Sequence, residues 1–246
     1  MDASGDWRRT KATELAEAHA LVREKTDKEI TVRHLISVEG VMRALARRLG
    51  EDEHRWALAG LFHDLDQDQT GEDPQRHAFL AAEWLHAAGV EEPVVNAVLA
   101  HAHERYRTDL MARAVVHADA IAGLLVAAAL VRPERAAGMK VSSIKKKLKE
   151  KAFAPGVNRD EVYGAEQTLG LPLDEYIAVA IEGSSRSPTT SACRRSARAR
   201  RPVKFSSDCR WRAYGQARRG GQQSVRPKVR FPFRTHISLS GASKQR

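Results

Sequence analysis

The sequence predicts an all-α fold, a helical bundle followed by a disordered basic C-terminal tail. Three observations predict it: apolar residues recur at spacings of three and four residues, alternation of β-branched residues is missing, and Ala is frequent. Hydrophobic residues make up 42% of the 246 residues and charged residues 29%, which is typical of a globular protein with a core.

The first clear helix is predicted over about residues 32–49. Five apolar side chains recur along one face of it: Leu35, Val38, Met42, Leu45 and Leu49. Gly50 is predicted to end this helix. A second helix is predicted over about 53–65, whereas the composition of 67–75 predicts a loop.

Further helices are predicted at about 75–88, 92–104, 109–131, 142–153, 159–169 and 172–183. The helix at 110–131 is the most hydrophobic of them, and we expect it to run through the core. From Ser184 the periodicity ends in a stretch rich in Ser, Arg, Gly and Pro. Such a segment cannot bury enough apolar surface to offset the entropy of ordering it, which predicts disorder.

Charge divides the chain at the same place. Residues 1–183 hold 24 basic and 30 acidic residues, a net charge of −6, whereas residues 184–246 hold 17 basic residues and one acid, a net charge of +16. We therefore predict a flexible N-terminus over 1–11, one folded domain over 12–183 and a disordered basic tail over 184–246.

The composition excludes several classes of protein. The N-terminal sequence lacks the apolar segment of a secretory signal, and the longest apolar stretch, 118–131, is shorter than the roughly 20 residues that a membrane span requires. Both cysteines, Cys193 and Cys209, lie in the tail, so no disulfide is available to the domain. We therefore expect a cytoplasmic protein with no membrane partner.

Six polar residues occupy positions where the predicted helices are otherwise apolar. They are His34, His63, Asp64, His77, His101 and Asp119. Asp119 is the most informative, because it lies in the most hydrophobic helix and no Lys or Arg occurs between Arg113 and Arg132. An ionised carboxylate buried there is costly unless it is paired or bound to a cation, so Asp119 requires a partner from elsewhere in the fold.

Two interpretations of these residues stay open on spacing alone. A single histidine on an apolar face is usually a core residue whose hydrogen bonds are satisfied. Four histidines and two aspartates on the inner faces of five successive helices instead favour a shared metal ion. Mixed imidazole and carboxylate ligands suit a divalent ion such as Mn²⁺, Fe²⁺, Co²⁺ or Zn²⁺.

The ordered set resembles the HD-domain metal-dependent phosphohydrolases, most closely their small HDIG-type branch. The resemblance extends over about residues 12–183 and implies an HD-domain helical bundle. It rests on five short segments around the polar residues: 33–39, 58–66, 75–78, 98–101 and 117–124. A lone His-Asp pair carries little information, whereas the ordered set over five helices is specific.

The resemblance implies a role for each of the six residues. Four of them would hold one metal ion: His34, His63, Asp64 and Asp119. His77 and His101 match the histidines that allow a second ion, with Asp64 as the bridge and the catalytic candidate. The cofactor implied is one or two divalent cations, Mn, Fe, Co, Zn or Mg.

This chain departs from the motif of the branch, because Leu65 and Asp66 stand where Ile and Gly are expected. Asp66 and Asp68 add charge beside the site. Asp66 is either an outer acid of the site or a solvated residue at a helix end, and we favour the solvated position. Among the remaining histidines, helical spacing barely distinguishes His103 from His101 as the ligand. The family pattern favours His101.

A metal ion with these ligands would support hydrolysis of a phosphate ester or anhydride of a nucleotide or small phosphorylated molecule. Candidate cationic contacts to the phosphate are Arg33, Arg76 and Lys147, although we favour a solvated helix face as the explanation of the lysine cluster at 145–151. Neither the substrate nor the oligomeric state is indicated by the sequence.

Two alternative functions stay open. In the first, the domain is a degenerate member of the HD family that binds a nucleotide or partner without turnover. In the second, the tail binds nucleic acid through its positive charge. The tail is also what an out-of-frame extension of a GC-rich gene would produce, which we favour as its origin.

Overall fold

The computed structural model describes residues 7–71 and 73–186. Within them the chain forms ten α-helices and no strand, which confirms the all-α prediction. The helices are α1 (Trp7–Lys25), α2 (Glu29–Leu49), α3 (Glu53–Phe62), α4 (Gln67–Thr70), α5 (Phe79–Ala87), α6 (Glu92–Ala102), α7 (Leu110–Leu130), α8 (Val141–Lys149), α9 (Arg159–Leu169) and α10 (Leu173–Arg186). One 3₁₀ turn, Glu104–Tyr106, follows α6.

Helix α7 forms the centre of the core. It packs against α2, α6 and α9, and it is apolar on almost every side. Among the described helices it alone is long and apolar enough to cross a bilayer, but 72% of that stretch is buried inside the protein. Its composition is therefore accounted for by burial in a protein core, as the sequence predicts for this helix.

Helix α10 continues through Arg186, three residues beyond its predicted end at 183. The reason is a close crossing with α2, where the Oγ atoms of Ser37 and Ser184 lie 3.1 Å apart and Gly183 approaches Gly40. Both Gly183 and Ser184 are buried there. The first residues of the predicted tail, 184–186, therefore belong to the helix, and 187–246 lie outside the described residues.

Two helices receive their N-terminal caps from the short segment that carries α4. Neither Lys28 before α2 nor Ala78 before α5 offers a capping side chain. Asp68 instead accepts hydrogen bonds from the N–H groups of Asp27 and Lys28 at 3.0 and 2.8 Å, and Asp66 accepts one from Ala81 at 3.1 Å. The Asp66 carboxylate satisfies an N–H group in the first turn of α5, and the Asp68 carboxylate satisfies two N–H groups immediately before α2. Both carboxylates interact favourably with the dipole of the helix that begins there.

Three predicted boundaries differ from the structure for local reasons. Helix α5 begins at Phe79 rather than 75, because Ala78 adopts a left-handed backbone conformation with φ of 66°. Helix α3 ends at Phe62, and α4 forms within the predicted loop. Helix α8 ends at Lys149 rather than 153, because the Arg159 guanidinium binds carbonyl groups on both sides of that point: those of Leu148, Glu150, Phe153, Ala154 and Val157.

The N-terminal boundary also falls earlier than the pattern indicates. Helix α1 begins at Trp7, so residues 7–11 of the predicted flexible N-terminus are helical. Residues 1–6 lie outside the described part of the chain.

Candidate metal centre

Five segments place six polar side chains around one point of the core. His34 lies on α2, His63 and Asp64 follow α3, and His77 precedes α5. His101 lies in the last turn of α6 and Asp119 in the middle of α7. His34, His63, Asp64 and His101 are each at least 92% buried, whereas the side chains of Asp119 and His77 are 19% and 16% exposed. All six residues predicted as ligands are therefore brought together.

The first set of ligand atoms surrounds the Nε2 atom of His34. It lies 2.9 Å from Oδ1 of Asp119, 3.2 Å from Nε2 of His63 and 3.9 Å from Oδ2 of Asp64. Nε2 of His63 is 3.5 Å from the same Asp64 oxygen and 3.7 Å from Oδ1 of Asp119. Ligands bound at about 2.0–2.2 Å from one ion lie at such separations from one another.

The second set surrounds the other oxygen of Asp64. Oδ1 of Asp64 lies 3.3 Å from Nε2 of His77 and 3.5 Å from Nε2 of His101. The second oxygen of Asp119, Oδ2, is 3.7 Å from Nε2 of His101. Asp64 and Asp119 therefore each present one oxygen to each of the two sets, and the carboxylate of Asp64 lies between them.

Hydrogen bonds from the far side of the rings orient two of the histidines. Nδ1 of His63 lies 2.8 Å from the carbonyl oxygen of Gly60, and Nδ1 of His77 lies 2.9 Å from Oδ1 of Asp66. When Nδ1 donates its proton to these oxygens, the lone pair of Nε2 faces the cluster. Nδ1 of His101 is buried and has no hydrogen-bond partner among the described residues.

The favoured prediction for Asp66, a solvated residue at a helix end, is wrong. Asp66 is completely buried, and it pairs with His77 and with the N–H group of Ala81. Burial of this carboxylate is possible because both of its oxygens accept hydrogen bonds. Asp68 does not extend the site, because its carboxylate caps α2 and accepts a hydrogen bond from the Thr31 hydroxyl at 2.9 Å.

The electrostatics of the cluster are those of carboxylates among imidazoles. Burial alone would raise the pKa of Asp64, but the histidines around it lower that pKa well below its usual range, and Asp119 behaves in the same way. Burial lowers the pKa of His77, yet the carboxylates of Asp64 and Asp66 outweigh this and raise it to about 10. For His101 the desolvation dominates and lowers the pKa to about 4.

The residues present fit a divalent cation. The ion pairs that the structure shows for Asp64 and Asp119 are all with histidines, so no Lys or Arg of the described chain neutralises them there. Two triads have ligand atoms that all lie within 4.8 Å of one another: His34, His63 and Asp119, and His63, Asp64 and His101. A buried donor set of imidazoles and carboxylates favours a borderline divalent ion, and such an ion would neutralise the carboxylates.

The contacts that the structure shows for Arg33 and Lys147, two of the predicted phosphate-binding cations, lie outside the cluster. Arg33 is exposed on α2 and pairs with Glu29 at 3.2 Å, and Arg76 is exposed before His77. The Nζ atom of Lys147 lies 3.7 Å from the centre of the Phe153 ring. Their assignment as substrate contacts stays a prediction.

Two other histidines take structural roles beside the site. His103 lies with Nε2 3.0 Å from the carbonyl oxygen of His77, and His117 lies with Nδ1 2.7 Å from the carbonyl oxygen of Glu161. The prediction of a ligand position for His101 rather than His103 agrees with this geometry. Sequence reasoning missed Tyr176, a fully buried residue whose hydroxyl donates to the carbonyl of His117 at 2.6 Å, because the α10 pattern marks it only as apolar.

Comparison with known proteins finds a similarity over the part of the chain that carries the cluster. Residues 31–124 match the HD domain family model, and this range contains all six clustered residues. A relative, "Ribonuclease Y 2" of Levilactobacillus brevis, is 34% identical over 90 residues, which cover 37% of this chain and 17% of that protein. No solved structure matches the chain significantly. Residues 31–124, which hold the clustered side chains, are therefore similar to an HD domain.

Proposed function

We propose that the chain is a metal-dependent phosphohydrolase that cleaves a phosphate ester or anhydride. The observation that supports this most directly is the position of Asp64, whose two oxygens face different sets of imidazole Nε2 atoms. One carboxylate between two donor sets is an arrangement suited to a pair of cations close together, as used in hydrolysis of phosphate esters. The proposal places the chain in the HDIG-type branch of the family and in the cytoplasm.

Each residue of the cluster has a task in this proposal. His34, His63 and Asp119 would hold one cation, His77 and His101 would hold a second, and Asp64, the proposed catalytic residue, would contribute to both. A bound cation of this kind polarises a phosphoryl oxygen and lowers the pKa of a water molecule. The ion would be Mn, Fe, Co, Zn or Mg, of which mixed imidazole and carboxylate ligands suit the first four.

The exposure of the cluster indicates the side from which a substrate approaches. His63 and Asp64 are sealed from solvent, whereas Asp119 and His77 retain the largest exposed fractions among the six residues. A phosphate would therefore enter beside Asp119 and His77. Arg76, exposed next to His77, and Arg33, exposed next to His34, are the cations that we propose to meet it, with Lys147 as a further candidate.

The substrate is proposed as a phosphorylated small molecule or a nucleotide. The relative from Levilactobacillus brevis carries the name of a ribonuclease, which adds the phosphodiester bonds of RNA to the candidates. A substrate panel for this chain should thus contain a nucleoside monophosphate, a nucleoside triphosphate, a cyclic dinucleotide, a generic aryl phosphate and an RNA oligonucleotide.

Elemental analysis of the purified full chain tests the metal site. We expect a divalent metal in the wild-type protein and its loss in His63→Ala and Asp64→Ala. His86→Ala is the matched control, because His86 is an exposed histidine paired with Glu92 on the surface. Unchanged metal content in both cluster variants would remove the proposed site. Metal binding without turnover on the whole panel would instead favour a binding protein that uses the same centre.

A further inference from the structure

We propose that Asp66 is a positioning residue that creates the site for a second cation by orienting His77. The inference rests on the proposed function, because it requires the cluster to bind divalent ions. The structure connects Asp66 to the ligand atoms through its hydrogen bond to Nδ1 of His77, on the side of the ring that faces away from the cluster.

Asp66 joins two elements of the structure. Its Oδ1 atom lies 2.9 Å from Nδ1 of His77, and its Oδ2 atom accepts a hydrogen bond from the N–H group of Ala81 at 3.1 Å. When His77 is neutral and Nδ1 donates to Asp66, the lone pair of Nε2 is on the side of Asp64, 3.3 Å from Oδ1, where a cation would bind it. Asp66 therefore selects both the tautomer and the direction of this ligand.

His77 depends on such contacts because no helix holds it. It precedes α5, and the next residue, Ala78, has the left-handed φ of 66° that side chains with a Cβ atom rarely adopt. The backbone carbonyl of His77 is held by Nε2 of His103 at 3.0 Å. Tertiary contacts, Asp66 on the side chain and His103 on the backbone, thus fix the position of the ring.

The other set of ligands is positioned independently of Asp66. His63 is oriented by the carbonyl of Gly60, three residues earlier, and His34 and Asp119 project from the long helices α2 and α7. The loss of Asp66 is therefore expected to weaken the second cation and leave the first in place.

Asp66→Asn tests this with almost no change of shape. An Asn side chain has one acceptor oxygen and one amide that only donates. If the oxygen faces His77, the amide opposes the N–H group of Ala81; if the oxygen faces Ala81, the amide drives the imidazole proton to Nε2. Both arrangements disturb the ligand role of His77.

The experiment is a titration of the metal-free full chain with Mn²⁺, read by elemental analysis and by the electron paramagnetic resonance signal of coupled ions. We expect two bound ions in the wild-type protein, and in Asp66→Asn a second-ion Kd raised by about 10–100-fold with an unchanged first-ion Kd. Asp68→Asn is the control, because it alters an equally enclosed carboxylate two residues away that caps α2. Asp66→Ser repeats the test if circular dichroism shows that Asp66→Asn does not fold.

The possible outcomes separate the two proposals. Absence of any bound ion in the wild-type protein would contradict the proposed function. A wild-type protein with one ion, or two ions held equally well in Asp66→Asn, would overturn the role of Asp66 alone. Equal weakening of both ions in the variant would also overturn it, because a merely structural residue acts on both sets.

Discussion

Gly40 and Gly183 bring the backbones of α2 and α10 into direct contact. A Cβ atom on Gly40 would lie 2.5 Å from the carbonyl oxygen of Gly183, closer than real Cβ contacts. Helix α2 carries His34, so this contact supports an element of the metal centre. The close approach also explains why α10 extends to Arg186.

Gly40→Ala is expected to destabilise the fold by about 1–3 kcal/mol, because the methyl group must push two backbones apart. Chemical denaturation at constant m-value measures the change. Gly123→Ala on α7 is the control: its Cβ atom would lie 3.5 Å from a Val157 side-chain carbon, an ordinary contact, so we expect a stability equal to or above that of the wild type. Equal changes in stability for the two substitutions would contradict the expectation that the backbones of α2 and α10 are too close for a methyl group.

Cation binding by the set that contains His77 is expected to release a proton at pH 7. In the metal-free protein the carboxylates of Asp64 and Asp66, acting against burial, raise the pKa of His77 to about 10, so the ring is charged at pH 7. A metal binds the neutral imidazole, so affinity should rise about tenfold per pH unit between 7 and 9. Calorimetry with Mn²⁺ in buffers of different ionisation enthalpy counts the protons, and equal counts in wild type and His77→Gln would contradict this.

The same ionisation makes the stability of the metal-free protein depend on pH. The pKa of His77 is raised on folding, so its contribution to stability is complete below the ordinary value of 6.5 and is lost as the pH rises through about 10. The pKa of His101 is lowered to about 4, so His101 destabilises the fold as the pH falls from 6.5 toward 4. Denaturation of the chelated protein between pH 4 and 10 checks both trends, and His101→Gln should flatten only the acidic side.

Saturation with metal is expected to stabilise the protein, and Asp119→Asn should remove most of this gain. An ion that binds only the folded state adds about 4 kcal/mol at a free concentration of 1,000 times its Kd. Asp119 supplies an oxygen within 2.9 Å of Nε2 of His34, so its neutral variant weakens the first ion. Thermal unfolding with and without a chelator measures the difference. An unfolding temperature of the wild-type protein that is the same with and without the chelator would contradict the expectation.

Arg159 is expected to matter for stability although it pairs with no carboxylate that the structure shows. Its guanidinium donates to carbonyl groups of Leu148, Glu150, Phe153, Ala154 and Val157, which closes the segment between α8 and α9. Arg159→Met leaves several of them unsatisfied, and we expect a loss of about 2–4 kcal/mol. Arg113→Met, at an exposed position of α7, should change stability by less than about 0.5 kcal/mol.

Nucleic-acid binding, if it occurs through the tail, should depend steeply on salt. Residues 187–246 contain 16 of the 41 basic residues, and neutralised phosphates release counterions. We expect the full chain to bind an RNA oligonucleotide more weakly at 200 mM than at 50 mM salt, and a chain ending at Arg186 to lose most of this dependence. An identical salt response in both chains would assign binding to the domain.

The sequence by itself determined the helical class, the core helix and the six clustered residues. Helical periodicity is local, so spacing alone marks which side chains face inward. Asp119 lies in an apolar helix with no Lys or Arg near it in sequence, which likewise predicts a partner from elsewhere in the fold. Two predictions made from neighbours in sequence were wrong: the solvated position of Asp66 and the end of the last helix at residue 183.

Only the tertiary structure decided what those residues contact. Asp66 pairs with a ring 11 residues away and with the first turn of α5, and Gly183 meets a glycine 143 residues earlier in the chain. Neither contact leaves a periodic signal, because each depends on the relative placement of helices. Which oxygen of Asp64 faces which histidine is decided in the same way, by packing among five segments that the chain brings together only on folding.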